Sequence, residues 1–319
     1  MIRYLPQVEA EAGDGGEADC RWIDVRDPTQ EEVERIRERF GIVLPTLEAL
    51  QEIEASSRLR VDGNTLYMSA PLLSGTSTER WKIAPTGFIL TPRHIATVRY
   101  AELQAIDMIF DEIAAASEMV PAEIFVRLLE EVVDRAADHL ERASAIVAKA
   151  SQKIFFEEPE RRHRLSHKTA VLREAMLEIG RANDRASRVR YMFLGIDRMA
   201  AFVMDRCQPK IEEALRERFS AVRHDIVSLD EFETSLSGRV QLLQDAAAGF
   251  ISIEQNDVVK VLTVVSVVGV PPVLVVGIYG MNFKVMPELA WRYGYPYALM
   301  LCLFSAVLPL LWFKWRDWI

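Results

Sequence analysis

The sequence predicts an α+β domain carrying long helices, followed by a two-helix transmembrane hairpin. Three observations point there. Before Tyr100, strand-length apolar runs alternate with turn residues; after it, helical periodicity continues with few prolines; and two stretches near the C-terminus, Val261 to Phe283 and Tyr293 to Phe313, hold no charge. Each charge-free stretch has about 20 residues, enough to cross about 30 Å of hydrocarbon as a helix. Two buried core helices are the soluble alternative, but unbroken charge-free runs of that length are uncommon in soluble folds.

Taken in order, CRWIDV (Cys20 to Val25) reads as a strand. Asp27-Pro28-Thr29, with Glu31 and Glu32 behind it, starts a helix that runs through Phe40 and stops at Gly41. Leu59 to Val61, the turn Asp62-Gly63-Asn64 and Thr65 to Ala70 have the chemistry of a hairpin. Two more strands are expected at Trp81 to Leu90 and His94 to Tyr100, divided by Thr91-Pro92. From Ala101 onward Pro121, Pro159 and Pro209 cut the chain into long helical pieces, so Pro121 to Phe156 and Arg161 to Arg206 read as charged antiparallel helices. After Pro209 no proline appears until Pro271, and Leu215, Phe219, Val222, Ile226, Leu229, Leu236, Val240 and Leu243 keep helical spacing. One helix from Ile211 to Tyr279 is expected, with Gly238 and Gly249 as candidate bending points.

The expected organisation is therefore an α/β domain over 1–120, a charged helical hairpin over 121–208 and a stalk helix over 209–260. The first span and its end follow at 261–283, a short external loop at 284–292, the second span at 293–313 and a tail at 314–319.

Half of the 319 residues are apolar, so a sizeable core can be buried. A net charge of −9 argues against nucleic acid and favours cations as partners. Cys20, Cys207 and Cys302 have no metal-ligand spacing, which fits a reducing compartment. The charged first forty residues hold no signal peptide, so both termini are expected in the cytoplasm. Lysine and arginine fix the orientation poorly, because Lys314 and Arg316 of the tail are matched by Lys284 and Arg292 of the loop.

The first span ends on Tyr279-Gly280-Met281-Asn282-Phe283, followed by Met286-Pro287-Glu288-Leu289 and then Tyr293-Gly294-Tyr295-Pro296. With the hairpin and the long helix feeding it, this pattern resembles the CorA family of magnesium transport proteins, and Glu52 to Leu59 looks like that family's cytoplasmic domain. The resemblance implies an inner-membrane homopentamer with a central pore lined by the first span, the second span facing lipid, and a cytoplasmic domain that senses magnesium at subunit interfaces.

In that setting Asn282 is the expected metal contact. Magnesium releases its waters reluctantly, so a ring of neutral amide oxygens can accept hydrogen bonds from the hydrated ion. Gly280 lets the chain turn tightly at the helix end, Met281 completes the motif, and Glu288 raises the cation concentration at the mouth. Val259, Leu262, Ser266, Val270, Val273 and Gly277 share one helical face and are assigned to the pore lining. Val259 and Leu262 form an apolar collar that closes by dewetting, or else pack as an ordinary helix contact. The resemblance adds Asn256 and Asp245 near the cytoplasmic exit; on the residues alone Asp245 reads as an exposed charge. Two departures stand out: Val273 replaces a threonine frequent in the family, and the tail Lys314-Trp315-Arg316-Asp317 is less basic than usual.

His163 and His167 have metal-ligand spacing, but the surrounding Arg161, Arg162, Arg164 and Lys168 oppose a cation there. Glu130, Asp134, Asp138 and Glu141 form an acidic helical face, solvated or bound to divalent ions between subunits. Glycine-rich Ala12 to Glu17 lacks the Lys-Ser/Thr of a phosphate-binding loop, so no nucleotide is expected, and no catalytic arrangement emerges. The expected function is downhill magnesium uptake, with cobalt and nickel as further ions and cytoplasmic magnesium as the regulatory ligand. About 100 mV supplies about 4.6 kcal/mol for a divalent ion, enough for about thousandfold accumulation. A zinc transporter on the same scaffold and a non-conducting membrane-anchored sensor or scaffold are the alternatives.

Overall fold

The computed structural model describes residues 1–5, 20–52, 54–75, 82–114, 119–156, 165–282, 286–287, 291–316 and 318. They fall into two compact units, Met1–Phe156 with Ala175–Leu243, and Glu157–Glu174 with Gln244–Ile319.

The first unit is built on a six-stranded sheet. Its strands are β1 (Ile2–Leu5), β2 (Trp22–Arg26), β3 (Leu59–Asp62), β4 (Thr65–Ser74), β5 (Lys82–Leu90) and β6 (Ile95–Arg99), in the order β1-β2-β6-β5-β4-β3. Only β2 and β6 pair in parallel; the other neighbours are antiparallel. The expected hairpin is β3–β4, closed by Gly63 at φ 57° and registered Leu59 on Met68.

Side chains alternate across the sheet. Ile23, Val25, Ala96, Val98 and Ile89 point to one face, where Ile36 of α1 (Gln30–Phe40) and Leu50 of α2 (Leu47–Gln51) cover them. Helix α1 starts where its chemistry directs: Thr29 and Glu32 form a reciprocal capping box, and Gly41 ends the helix at φ 67°. A short turn, α3 (Ala55–Arg58), leads into β3.

The opposite face carries Trp22, Phe88 and a buried polar cluster, under α4 (Gln104–Ala114) and α5 (Pro121–Phe155). Trp22 stacks against Phe110 at 5.0 Å, and Phe88 against Phe125 at 5.5 Å. Asp24 and Arg99, each 1% exposed, are bonded at 2.9 Å. Thr97 donates to Asp24 at 2.7 Å, Trp22 Nε1 donates to Thr97 at 3.1 Å, and Arg3 bridges Asp24 and Asp107 at 2.6 and 2.7 Å. Buried charges require this pairing, because an unpaired one would cost several kcal/mol. Burial works against the Asp107 carboxylate, but hydrogen bonds and charge from Arg99 and Arg3 outweigh it and hold its pKa below the usual range.

Helix α6 (Leu165–Arg206) returns antiparallel to α5: Lys153 meets Glu178 at 3.0 Å, while Val132 and Met192 wall one recess. Its close approach to β4 is possible because Gly195 has no side chain; a Cβ there would lie 2.9 Å from the Cβ of Ala70. Helix α7 (Glu213–Tyr279) is a single 67-residue element, unbroken at Gly238 and Gly249. Its first half packs Phe219, Val222, Ile226, Leu236 and Val240 inward, and Phe219 lies 6.1 Å from Phe125. Four ion pairs lock this half to α5 and α6: Arg218–Glu130 at 2.7 Å, Arg223–Asp197 at 2.7 Å, Arg190–Asp230 at 3.1 Å and Arg190–Glu233 at 3.2 Å. Glu233 is 2% exposed and also accepts from Ser237 at 2.9 Å.

The second unit contains the rest of α7 and helix α8 (Gly294–Trp315). These two helices are the ones in the described residues long and apolar enough to cross a membrane, with mean hydropathy 2.5 and 1.9 over their most apolar windows.

Candidate functional site

In the second unit α7 presents two different sides. Val264, Val268, Pro271, Pro272, Val275 and Tyr279 are half-buried and recur every three or four residues. On that side the Cys302 thiol of α8 reaches the Pro272 carbonyl at 3.9 Å. Val259, Leu262, Ser266, Val270, Val273 and Gly277, the row assigned to the pore, are all exposed, with Val259 at 59%, Leu262 at 64%, Val270 at 63% and Val273 at 71%. At about 100° per residue the two rows lie on opposite sides of the helix. Asn256 and Asp245 are exposed on the same α7 segment.

The exposed row is poor in oxygen. Between Asn256 and Asn282 it holds one side-chain oxygen, that of Ser266; the Thr263 hydroxyl, beside the row, is turned back onto the Val259 carbonyl at 2.8 Å. Such a wall cannot replace an ion's hydration shell, so only an ion keeping its waters can pass along it without a large desolvation cost.

Helix α7 ends at Tyr279, and the motif sits just beyond. The Gly280 amide donates to Val276 at 2.9 Å and the Met281 amide to Ile278 at 3.2 Å, so the last turn tightens and releases Asn282, which is exposed. The expectation of a left-handed glycine cap is not met. The positive-φ glycines among the described residues are Gly41, Gly63 and Gly75. Gly280 instead allows close backbone approach, since a Cβ would lie 3.1 Å from the Val276 carbonyl oxygen. Glu288 lies outside the described residues.

Other candidates fare differently. Among the described residues no three or more His, Cys, Asp or Glu side chains are grouped to hold a metal. The acidic face of α5 is partly taken up internally: Glu130 binds Arg218, and Asp138 lies 3.6 Å from Arg142. Burial, then the carboxylates of Glu131, Asp225 and Glu130, raise the Asp134 pKa, with Arg127 opposing. His163, the side chain of His167 and the glycine-rich segment 12–17 lie outside the described residues. Sequence reasoning missed the Cys302–Pro272 contact; the signal was available as two adjacent prolines, whose missing N–H groups leave the Val267 and Val268 carbonyls without helical partners.

At the outer end of α8, Trp291 lies 5.6 Å from Tyr297 and 6.4 Å from Tyr293; at the other end Trp318 stacks on Phe313 at 5.5 Å and Arg316 lies over Trp312. Aromatic groups at both ends of an apolar helix suit the two interfaces of a bilayer.

Residues 17–315 match the family described as CorA-like Mg2+ transporter protein. The chain is 30% identical over 304 residues to the magnesium transport protein CorA of Salmonella typhimurium, covering 94% of this chain and 92% of that protein. It is likewise 30% identical over 301 residues to the protein of the same description in Escherichia coli, covering 93% and 92%. Among solved structures, the complete CorA magnesium transporter of Methanocaldococcus jannaschii superposes with a TM-score of 0.73 at 18% identity, covering 98% of this chain and 95% of that one. The full-length CmaX protein gives 0.67 at 14% identity, covering 98% and 90%. The fold, the two apolar helices and the sequence match together make this chain a member of the CorA family of magnesium transport proteins, membrane ion transporters rather than enzymes.

Proposed function

We propose that this chain forms a homopentameric, inner-membrane channel that takes up hydrated magnesium down its electrochemical gradient, with both termini in the cytoplasm. The supporting observation is the exposed row of α7, Val259 to Gly277, which lies opposite the side met by α8 and leads to the exposed Asn282. Copies arranged around an axis bury that row against one another and leave α8 toward lipid. Asn282, with Gly280, Met281 and Glu288, forms the mouth, where amide oxygens accept hydrogen bonds from the ion's water shell. Val259 and Leu262 form the dewetting collar, and Ser266, Val270, Val273 and Gly277 line the path to Asn256 and Asp245 at the exit. Cobalt and nickel share the path. Magnesium on cytoplasmic carboxylates between subunits closes it.

Uptake by cells lacking other magnesium importers tests the assignment. Asn282→Ala is expected to lower magnesium influx at least tenfold with unchanged amounts of protein in the membrane. Unchanged influx overturns the role of the amide. Flux into liposomes holding purified protein separates the remaining alternatives: magnesium entry supports the channel, preferred zinc entry replaces the ion, and no entry of either leaves a non-conducting scaffold.

A further inference from the structure

One concave feature of the first unit is not used by ion conduction. The end of β4, the start of α4 and the middles of α5 and α6 meet around His139, leaving recesses on its two sides. The floor is apolar, with Leu72, Leu73, Val132 and Val189. The polar groups are basic: Arg135 on one side, Arg142 and Arg185 on the other.

Their surroundings leave positive charge in excess. Arg135 is fixed along the wall, donating to Glu131 at 2.7 Å and to Gln104 at 3.1 Å. Arg142 has Asp138 only at 3.6 Å, with both side chains mostly exposed. The groups acting on the His139 imidazole are Arg135, Asp138 and Arg142 from α5 and Arg185 from α6. Burial first, then the charges of Arg142, Arg135 and Arg185, push its pKa down to about 4, with Asp138 opposing. The imidazole is therefore kept neutral in a recess whose potential is positive, although the whole chain carries −9.

We propose that this recess binds a phosphate-type oxyanion, free or as the end of a small phosphorylated molecule, held by Arg142, Arg185 and His139. Guanidinium groups match phosphate oxygens with paired donors, and arginine is suited to this at a partly buried site. The anion supplies the negative charge that the recess lacks, which lets His139 take up a proton and donate to a third oxygen. The site sits on the helices that carry the ion-pair ladder to α7, but the inference is independent of the conducting role proposed above.

The test is calorimetric titration of the full-length, detergent-purified protein with inorganic phosphate at pH 6.5, constant ionic strength and no magnesium, in two buffers of different ionisation heat. Saturable binding with proton uptake is expected. Arg185→Gln should weaken it at least tenfold, Arg185→Lys should weaken it less, and His139→Gln should retain binding while abolishing the proton uptake. Repeating the titration with a nucleoside monophosphate and with sulfate identifies the source: tighter binding of the monophosphate points to a phosphorylated molecule, and preference for inorganic phosphate to the free ion. Absence of saturation with all three anions, or equal affinity of Arg185→Gln and the unaltered protein, overturns the proposal.

Discussion

Arg218 grips Glu130 with two hydrogen bonds, Nε to Oε1 at 2.8 Å and Nη2 to Oε2 at 2.7 Å, and so fastens α7 to α5. The bond to Glu130 outweighs burial and raises the Arg218 pKa. Because the guanidinium is about one-third exposed, solvent screening limits the gain. Arg218→Ala is expected to cost about 1 kcal/mol, or about 2–4 °C in the melting temperature of the soluble unit. Arg218→Lys should recover only part of that, since an ammonium cannot form the paired geometry. Calorimetric melting of both variants, with Glu130→Gln to close a double-mutant cycle, measures the coupling.

A methyl group at Gly195 would collide with Ala70, 2.9 Å away on β4. Neither atom belongs to a flexible side chain, so α6 or β4 must shift. Gly195→Ala should destabilise the protein by about 1–3 kcal/mol. The compensating Gly195→Ala/Ala70→Gly pair should regain much of the loss, which urea unfolding would reveal.

The pH dependence follows from His139 and Asp107. With a folded pKa of about 4 for His139 against about 6.5 unfolded, the unfolded chain binds more protons between those values. Stability is therefore lost as pH falls from about 6.5 toward about 4. Asp107 is depressed when folded, so its contribution is present above the unfolded carboxylate pKa and disappears as pH falls through its lower folded value. Urea midpoints measured from pH 7 to pH 4.5 in phosphate-free buffer should decline, and His139→Gln should flatten the upper part of that decline.

The two sides of α7 differ in what reaches them. Val273 is 71% exposed, whereas Val275 is half-buried on the side that meets α8. In a Cys302→Ser background, Val273→Cys should react with a small water-soluble thiol reagent at least tenfold faster than Val275→Cys, and the modification should block magnesium flux. Equal rates at the two positions would remove the exposed row as a water path.

Local chemistry made part of this fold legible in the sequence. Thr29 and Glu32 identify the start of α1, Asp62-Gly63 the β3–β4 turn, and the long interval without proline the continuity of α7. The parallel pairing of β2 with β6 was not legible, because it joins residues about seventy positions apart and leaves no local mark. The Asp24–Arg99 pair was hidden for a related reason: each residue reads alone as a surface charge, and only the sheet brings them together. At the candidate site the exposed and half-buried rows follow from helical spacing, but the side taken by α8 depends on a thiol contact that no periodicity reports. Gly280 was identified as special for the wrong backbone reason, since both a left-handed cap and a close carbonyl call for the same missing Cβ.

The adjacent Pro271 and Pro272 give α7 its mechanically softest place. Two successive rungs of the backbone ladder are missing there, so the short outer segment up to Tyr279 can swivel while the lower rod stays straight. Cys302 holds the edge of that swivel. The aperture at Asn282 thus has its own joint within the bilayer, and its width can be tuned by a thiol on the neighbouring helix.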